Sequence, residues 1–177
     1  MEYKSFALNL DEVSEDGLFM GYAATFGNVD LGGDIIEKGA FTHSLRDTGG
    51  RVPVLDHHQP DRQIGWNLEA CEDAHGLFVR GQLDLNVQAA RERHSLMQLA
   101  RRVGGRTGLS IGFQSVREDR DPADPTVRRL QEVRLLEYSL VTFPMNTQAQ
   151  VTAVKETHGM ARALHTFLQT LTESVPL

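Results

Sequence analysis

Apolar residues alternate with small or polar ones along much of this chain, and a period of two predicts strands. In segment 107–116, Leu109, Ile111 and Phe113 take one face and leave Ser110 and Gly112 on the other. Segment 128–142 repeats the pattern, with Leu136, Tyr138 and Leu140 suited to a core and Glu137 and Ser139 opposite. The repeat is imperfect, because Leu135 and Val141 share the parity of Glu137. Further strands are predicted at 3–10, 17–25, 52–55, 64–72, 77–85 and 149–154. The D-A-H-G between 64–72 and 77–85 is a hairpin signal.

A period near 3.6 is rarer. Asn86 is placed to cap a helix over 87–102, with Leu96, Leu99, Ala100 and Val103 on one face and Gly104-Gly105 as its stop. A short helix suits 39–46. After the turn F-P-M-N, a C-terminal helix would carry Met160, Leu164, Phe167, Leu168 and Leu171 at helical spacing. Strands therefore follow one another in hairpin-like succession, without regularly interleaved helices. This predicts an α+β, mainly β fold: a mixed or antiparallel β-barrel with peripheral helices. Residues 1–155 would form the barrel domain, and 156–177 a C-terminal helix packed on the same domain.

Length and composition narrow the classes. A chain of 177 residues is large enough for one domain with its own core. The lone Cys71 excludes an internal disulfide framework, fits a reducing compartment and reads as strand packing. No run approaches the roughly 18 apolar residues of a membrane helix, so no membrane partner is expected. The acidic N-terminal stretch does not resemble a signal peptide, which points to the cytoplasm. A net charge of −6 argues against a nucleic-acid partner. Within 80–134, however, eleven Arg face seven Asp or Glu. That imbalance is either a solvated surface or a basic lip, with Arg91, Arg93, Arg101 and Arg102 gathering an acidic protein segment.

The chemistry converges on three residues. A serine hydroxyl attacks poorly at neutral pH unless an imidazole takes its proton and a third group orients that imidazole. Ser110 in G-L-S-I-G-F, His58 upstream and Glu137 downstream supply these types, each at a strand or strand end. Singly, each reads as an ordinary surface residue; their joint occurrence suggests a Ser-His-acid hydrolase. G-x-S-x-G also matches the nucleophile elbow of α/β-hydrolases, for which Glu137 and His158 would complete the order. That fold needs a helix directly after the serine, whereas F-Q-S-V-R-E-D continues as a strand. His57, His58, Asp56 and Asp61, with Asp30 and Asp34 upstream, raise the question of a metal. Adjacent histidines on an extended chain point apart and no zinc spacing is present, so no metal and no cofactor is expected.

Four stretches, in this order, carry a resemblance: G-Y-A-A-T-F-G-N-V-D-L-G-G-D-I-I-E-K-G-A-F, V-P-V-L-D-H-H-Q-P-D-R-Q-I-G, G-L-S-I-G-F and L-L-E-Y-S-L-V-T-F-P-M-N. On them the chain resembles, from about Gly21 to Val154, the tailed-bacteriophage prohead (capsid maturation) proteases, related in fold to the herpesvirus assemblins. Matching Val54-Leu55 and Ile64-Gly65 to the family pattern puts its catalytic histidine on His58, its serine on Ser110 and its acid on Glu137. Relatives often carry Trp where this chain has Asp56, and His57 is an additional imidazole. The resemblance implies a serine endopeptidase inside the assembling prohead, in the host bacterial cytoplasm. Its substrate would be the scaffold region of the major capsid protein or a separate scaffold protein, with self-cleavage. It also implies a homodimer, as in assemblins. Assemblins place an oxyanion-stabilising backbone on an arginine-bearing segment after the acid. F-P-M-N-T-Q-A-Q has no arginine, so the oxyanion hole and the substrate-binding residues stay unassigned. The alternative is a non-catalytic capsid-assembly or scaffold-binding module of the same fold.

Overall fold

Two 14-residue strands, β7 (Thr107–Arg120) and β8 (Arg128–Val141), pair antiparallel and organise the sheet. They belong to a computed structural model that describes residues 16–143 and the backbone course of residues 2–8. β1 (Glu2–Leu8) pairs antiparallel with the outer edge of β7. Along the other edge of β8 lie two short parallel partners, β3 (Asp34–Ile36) and β4 (Pro53–Asp56). From β4 the sheet continues antiparallel through β5 (Gln63–Glu72), β6 (Gly76–Leu83) and β2 (Leu18–Thr25). The path β1-β7-β8-β4-β5-β6-β2 curls until β1 approaches β2. With helices α1 (Thr42–Thr48) and α2 (Gln88–Arg102) outside it, this is the expected mainly β, mixed architecture, curled into a half-barrel.

The concave side is filled by Phe19, Ile64, Leu77, Leu109, Ile111, Phe113 and Tyr138, all fully buried. Tyr138 has a polar tip to satisfy there. Its hydroxyl donates to Asn67 Oδ1 at 2.9 Å, and Asn67 Nδ2 donates to the Gly50 carbonyl at 2.7 Å. Burial pushes the Tyr138 hydroxyl well above its usual pKa, so it remains a donor.

Beside the site, β8 departs from the predicted alternation. Gly112 faces Glu137, but the next residue, Phe113, faces Leu135, so Leu136 is an extra residue, a β-bulge. A bulge resets the two-residue rhythm. Leu135 is buried below it, Tyr138 and Leu140 are buried above it, and Leu136 itself is only half-buried, contrary to its predicted core role. This also accounts for the parity that Leu135 shares with Glu137 in the sequence.

α2 differs from expectation at its start and on its packed face. Asn86 does not cap it; its backbone N–H and its side-chain amide both donate to Asp84 Oδ1. The N-cap position falls to Val87, with no side-chain hydrogen bond, while Arg91 reaches back to the Leu85 and Asn86 carbonyls. The buried face consists of Ala90, His94 and Met97, whereas Leu96, Leu99 and Val103 are 56%, 46% and 70% exposed. Ala90 is small enough to bring the helix close, and spacing alone could not rank that face over the leucine stripe. Cys71, predicted to pack, is exposed on β5. Among the described residues no helix is long and apolar enough to cross a membrane. The predicted strand at 149–154 and C-terminal helix lie outside the described residues, as does the division at 155.

Candidate active site

Three neighbouring strands bring the candidate residues together. Ser110 on β7 faces Ser139 across the antiparallel ladder, and Leu55 on β4 faces the same Ser139 from the parallel side. Glu137 lies two residues earlier on β8 and so projects from the same face as Ser139. His58 arrives from the turn that follows β4.

That turn is not the extended chain assumed from the sequence. His57 and His58 both adopt left-handed backbone conformations, with φ of 51° and 58°. Such a conformation costs roughly 1–2 kcal/mol for each non-glycine residue, so it persists only where neighbours impose it. Here His57 N–H donates to the Leu140 carbonyl, Asp56 N–H to the Arg62 carbonyl and Gln59 N–H to the Asp56 carbonyl. His58 N–H donates to Ser139 Oγ at 2.9 Å.

The turn carries the His58 ring between the other two side chains. Its Nδ1 is 2.7 Å from Glu137 Oε1, and its Nε2 is 2.6 Å from Ser110 Oγ. An ionised carboxylate can only accept, so Nδ1 carries the proton and the Nε2 lone pair faces the serine hydroxyl. Ser139 completes the arrangement: its hydroxyl donates to Glu137 Oε2 at 2.7 Å and accepts from His58 N–H. Each carboxylate oxygen therefore has a donor, which fixes the rotamer of Glu137. Glu137 is 3% exposed, and the Ser110 side chain, expected to be open, is fully buried beneath the imidazole. Low surrounding polarity strengthens such a hydrogen-bonded chain.

Gly112 is the residue that makes room. A Cβ built there would lie 2.1 Å from Glu137 Oε1. Gly112 and Ser139 together accommodate and hold the carboxylate. Gly112→Ala should push that carboxylate off His58 while sparing the fold, since the displaced atoms end a flexible side chain. We expect catalytic turnover to drop by roughly 10²–10⁴-fold, the range for losing the group that orients an imidazole. Near-wild-type turnover in a steady-state assay would show that Glu137 does not need this position.

The second imidazole is engaged elsewhere. His57 Nδ1 lies 2.9 Å from Asp56 Oδ1, and its Nε2 lies 3.1 Å from Thr142 Oγ1. Asp56, 4% exposed, also pairs with Arg62 at 2.9 Å and with Arg93 of α2. Arg93 is consequently not the exposed substrate-gathering arginine expected, and Arg91 is bonded to its own helix entry; Arg101 and Arg102 remain exposed. Among the described residues, no group of three or more His, Cys, Asp or Glu could hold a metal ion. Asp34 instead receives a two-pronged bond from Arg128, with Nε to Oδ1 at 2.9 Å and Nη2 to Oδ2 at 2.7 Å. Sequence reasoning missed the Ser139 bridge and the Asp56–Arg93 pair. The first had a signal, since Glu137 and Ser139 share a face; the second joins residues 37 positions apart and had none.

Comparison with known proteins identifies the family and the fold. The family model of the caudovirus prohead serine proteases matches residues 4–163. The prohead protease of Enterobacteria phage HK97 is 36% identical over 148 residues, covering 82% of this chain and 64% of that protein. The chain thus spans somewhat under two thirds of that relative's length. Among solved structures, the bacteriophage T4 capsid assembly protease superposes with a TM-score of 0.59, over 81% of this chain and 97% of that one. At 11% identity this likeness speaks to the fold. With the family model matched over nearly its whole length, the chain belongs to the caudovirus prohead serine protease family.

Proposed function

We propose that the chain is a serine endopeptidase of phage prohead maturation, with Ser110 as nucleophile, His58 as general base and acid, and Glu137 as the group that orients it. The observation that carries this is the unbroken hydrogen-bonded chain from Glu137 through His58 to Ser110. His58 Nε2 takes the Ser110 proton as Oγ attacks the scissile carbonyl, and Glu137 stabilises the imidazolium that forms. The same Nε2–H then protonates the departing amine as the C–N bond breaks, leaving an acyl-Ser110. Water, deprotonated by His58, releases the acid and regenerates the hydroxyl. A binding module has no use for this aligned, buried chain of groups.

The substrate follows from the family: the scaffold region of a major capsid protein or a separate scaffold protein, cut inside the assembling prohead in the host cytoplasm. Co-expression with the neighbouring capsid gene tests this directly. Intact-mass spectrometry should show a capsid or scaffold protein shortened at a single position. An unshortened partner in the presence of folded enzyme would remove the assignment.

A further inference from the structure

We infer that the Asp56–Arg93 pair is a positioning device that ties helix α2 to the His58 turn and holds that imidazole in register with Ser110. The inference rests on the triad reading for its functional weight, but its geometry stands separately. Asp56 is the last residue of β4 and lies two residues before His58, at the point where the chain leaves the sheet. Its carboxylate is approached from three sides. Oδ1 takes Arg93 Nη2 from α2 and His57 Nδ1 from the turn, and Oδ2 takes Arg62 Nη2 from the end of the turn. Arg93 is largely buried too, with its side chain 14% exposed against 6% for Asp56.

Two features make this more than a local ion pair. First, the turn it anchors is the left-handed His57-His58 pair, a conformation that relaxes unless its surroundings hold it. Backbone hydrogen bonds fix the base of the turn, but the Asp56 carboxylate fixes its side toward α2. Second, the bonding leads out of the active site into another element. From Ser110 one passes to His58, along the chain to His57 and Asp56, and across to Arg93. His57 is thereby assigned a part. Its Nδ1 lies 2.9 Å from Asp56 Oδ1 and 2.8 Å from Arg93 Nη2, and its Nε2 accepts from the Thr142 N–H at 3.3 Å, so the imidazole bridges the Asp56–Arg93 pair to the end of β8. Removing Arg93 leaves a buried carboxylate with less compensation, and the turn responds by rotating toward water. The His58 ring would then leave the line between Ser110 and Glu137.

The experiment compares Arg93→Gln, Arg93→Ala and Arg93→Lys with wild type in two measurements, well below their melting temperatures. One is the NMR resonance of the His58 Nδ1 proton, shifted downfield by its bond to Glu137. The other is the rate of Ser110 labelling by a fluorophosphonate. Arg93→Gln should weaken or erase the proton resonance and slow labelling about ten- to thirtyfold, while Arg93→Lys, which keeps the charge, recovers part of both. If Arg93→Ala does not fold, Arg93→Gln decides alone. An undisturbed His58 resonance with wild-type labelling in folded Arg93→Gln would overturn the inference. If wild type itself resists labelling while Arg93→Gln loses the resonance, the device stands and the nucleophile assignment falls.

Discussion

Ser110→Ala is expected to abolish peptide-bond cleavage and to leave a folded protein. The hydroxyl it removes is the atom placed 2.6 Å from His58 Nε2. Without it no acyl-enzyme can form, and loss of a triad member typically reduces turnover by on the order of 10⁴-fold or more. The structural cost is small by comparison. One buried acceptor, His58 Nε2, loses its donor, which costs about 1–3 kcal/mol, or several degrees of melting temperature in a chain of this size. The β7 backbone is unaffected, because alanine continues the strand on both the β1 and β8 sides. Circular dichroism melts together with a gel or mass assay of capsid cleavage provide both readings. Residual cleavage at more than about one per cent of the wild-type rate, in a folded variant, would mean the nucleophile is another group.

The two adjacent histidines separate just as sharply. His58→Ala should lower turnover by roughly four orders of magnitude, because it removes the only base within reach of Ser110 among the described residues. His57→Ala should cost at most about tenfold, since this ring braces the turn and touches no reacting atom. Single-turnover cleavage is the suitable measurement, because it isolates the bond-breaking steps from product release. A dead His57→Ala beside an active His58→Ala would reverse the two roles. That outcome would require the turn to flip both rings, against the bonds that His57 makes to Asp56 and Thr142.

What the sequence made legible was local or carried by the family pattern. The alternation at 109–113 placed Ser110 opposite the core residues, and D-A-H-G marked the β5–β6 hairpin within a residue or two. His58 was reachable because Ile64-Gly65 gave its motif a fixed offset. Illegible features depended on partners distant in sequence or on a break in rhythm. The bulge at Leu136 swaps faces within one strand, and no alternation rule anticipates where a rhythm will be reset. The left-handed pair at 57–58 arises from β8 and α2 closing on the turn, which cannot be read from D-H-H-Q. α2 chose Ala90, His94 and Met97 over Leu96, Leu99 and Val103 because close approach mattered more there than hydrophobicity. Arg93 looked like surface for the same reason: its carboxylate partner lies on another element.

The strand order has a consequence for when this site comes into being. Ser110 lies on β7 and the His58 turn follows β4, two strands that are not paired with each other; β8 runs between them and also brings Glu137. β8 is also the last of the three to be synthesised. A nascent chain that ends before Arg128 therefore has both serine and histidine but lacks the central strand that would set them side by side. Of the two pairings that flank β8, β7–β8 is a local hairpin, whereas β4–β8 is a long-range closure, paid for only once that strand docks. Such a chain does not yet hold the proposed Ser110–His58–Glu137 arrangement while still on the ribosome. For the endopeptidase proposed above, a complete site therefore arrives only with the last of its three strands, a delay built into the order in which they are made.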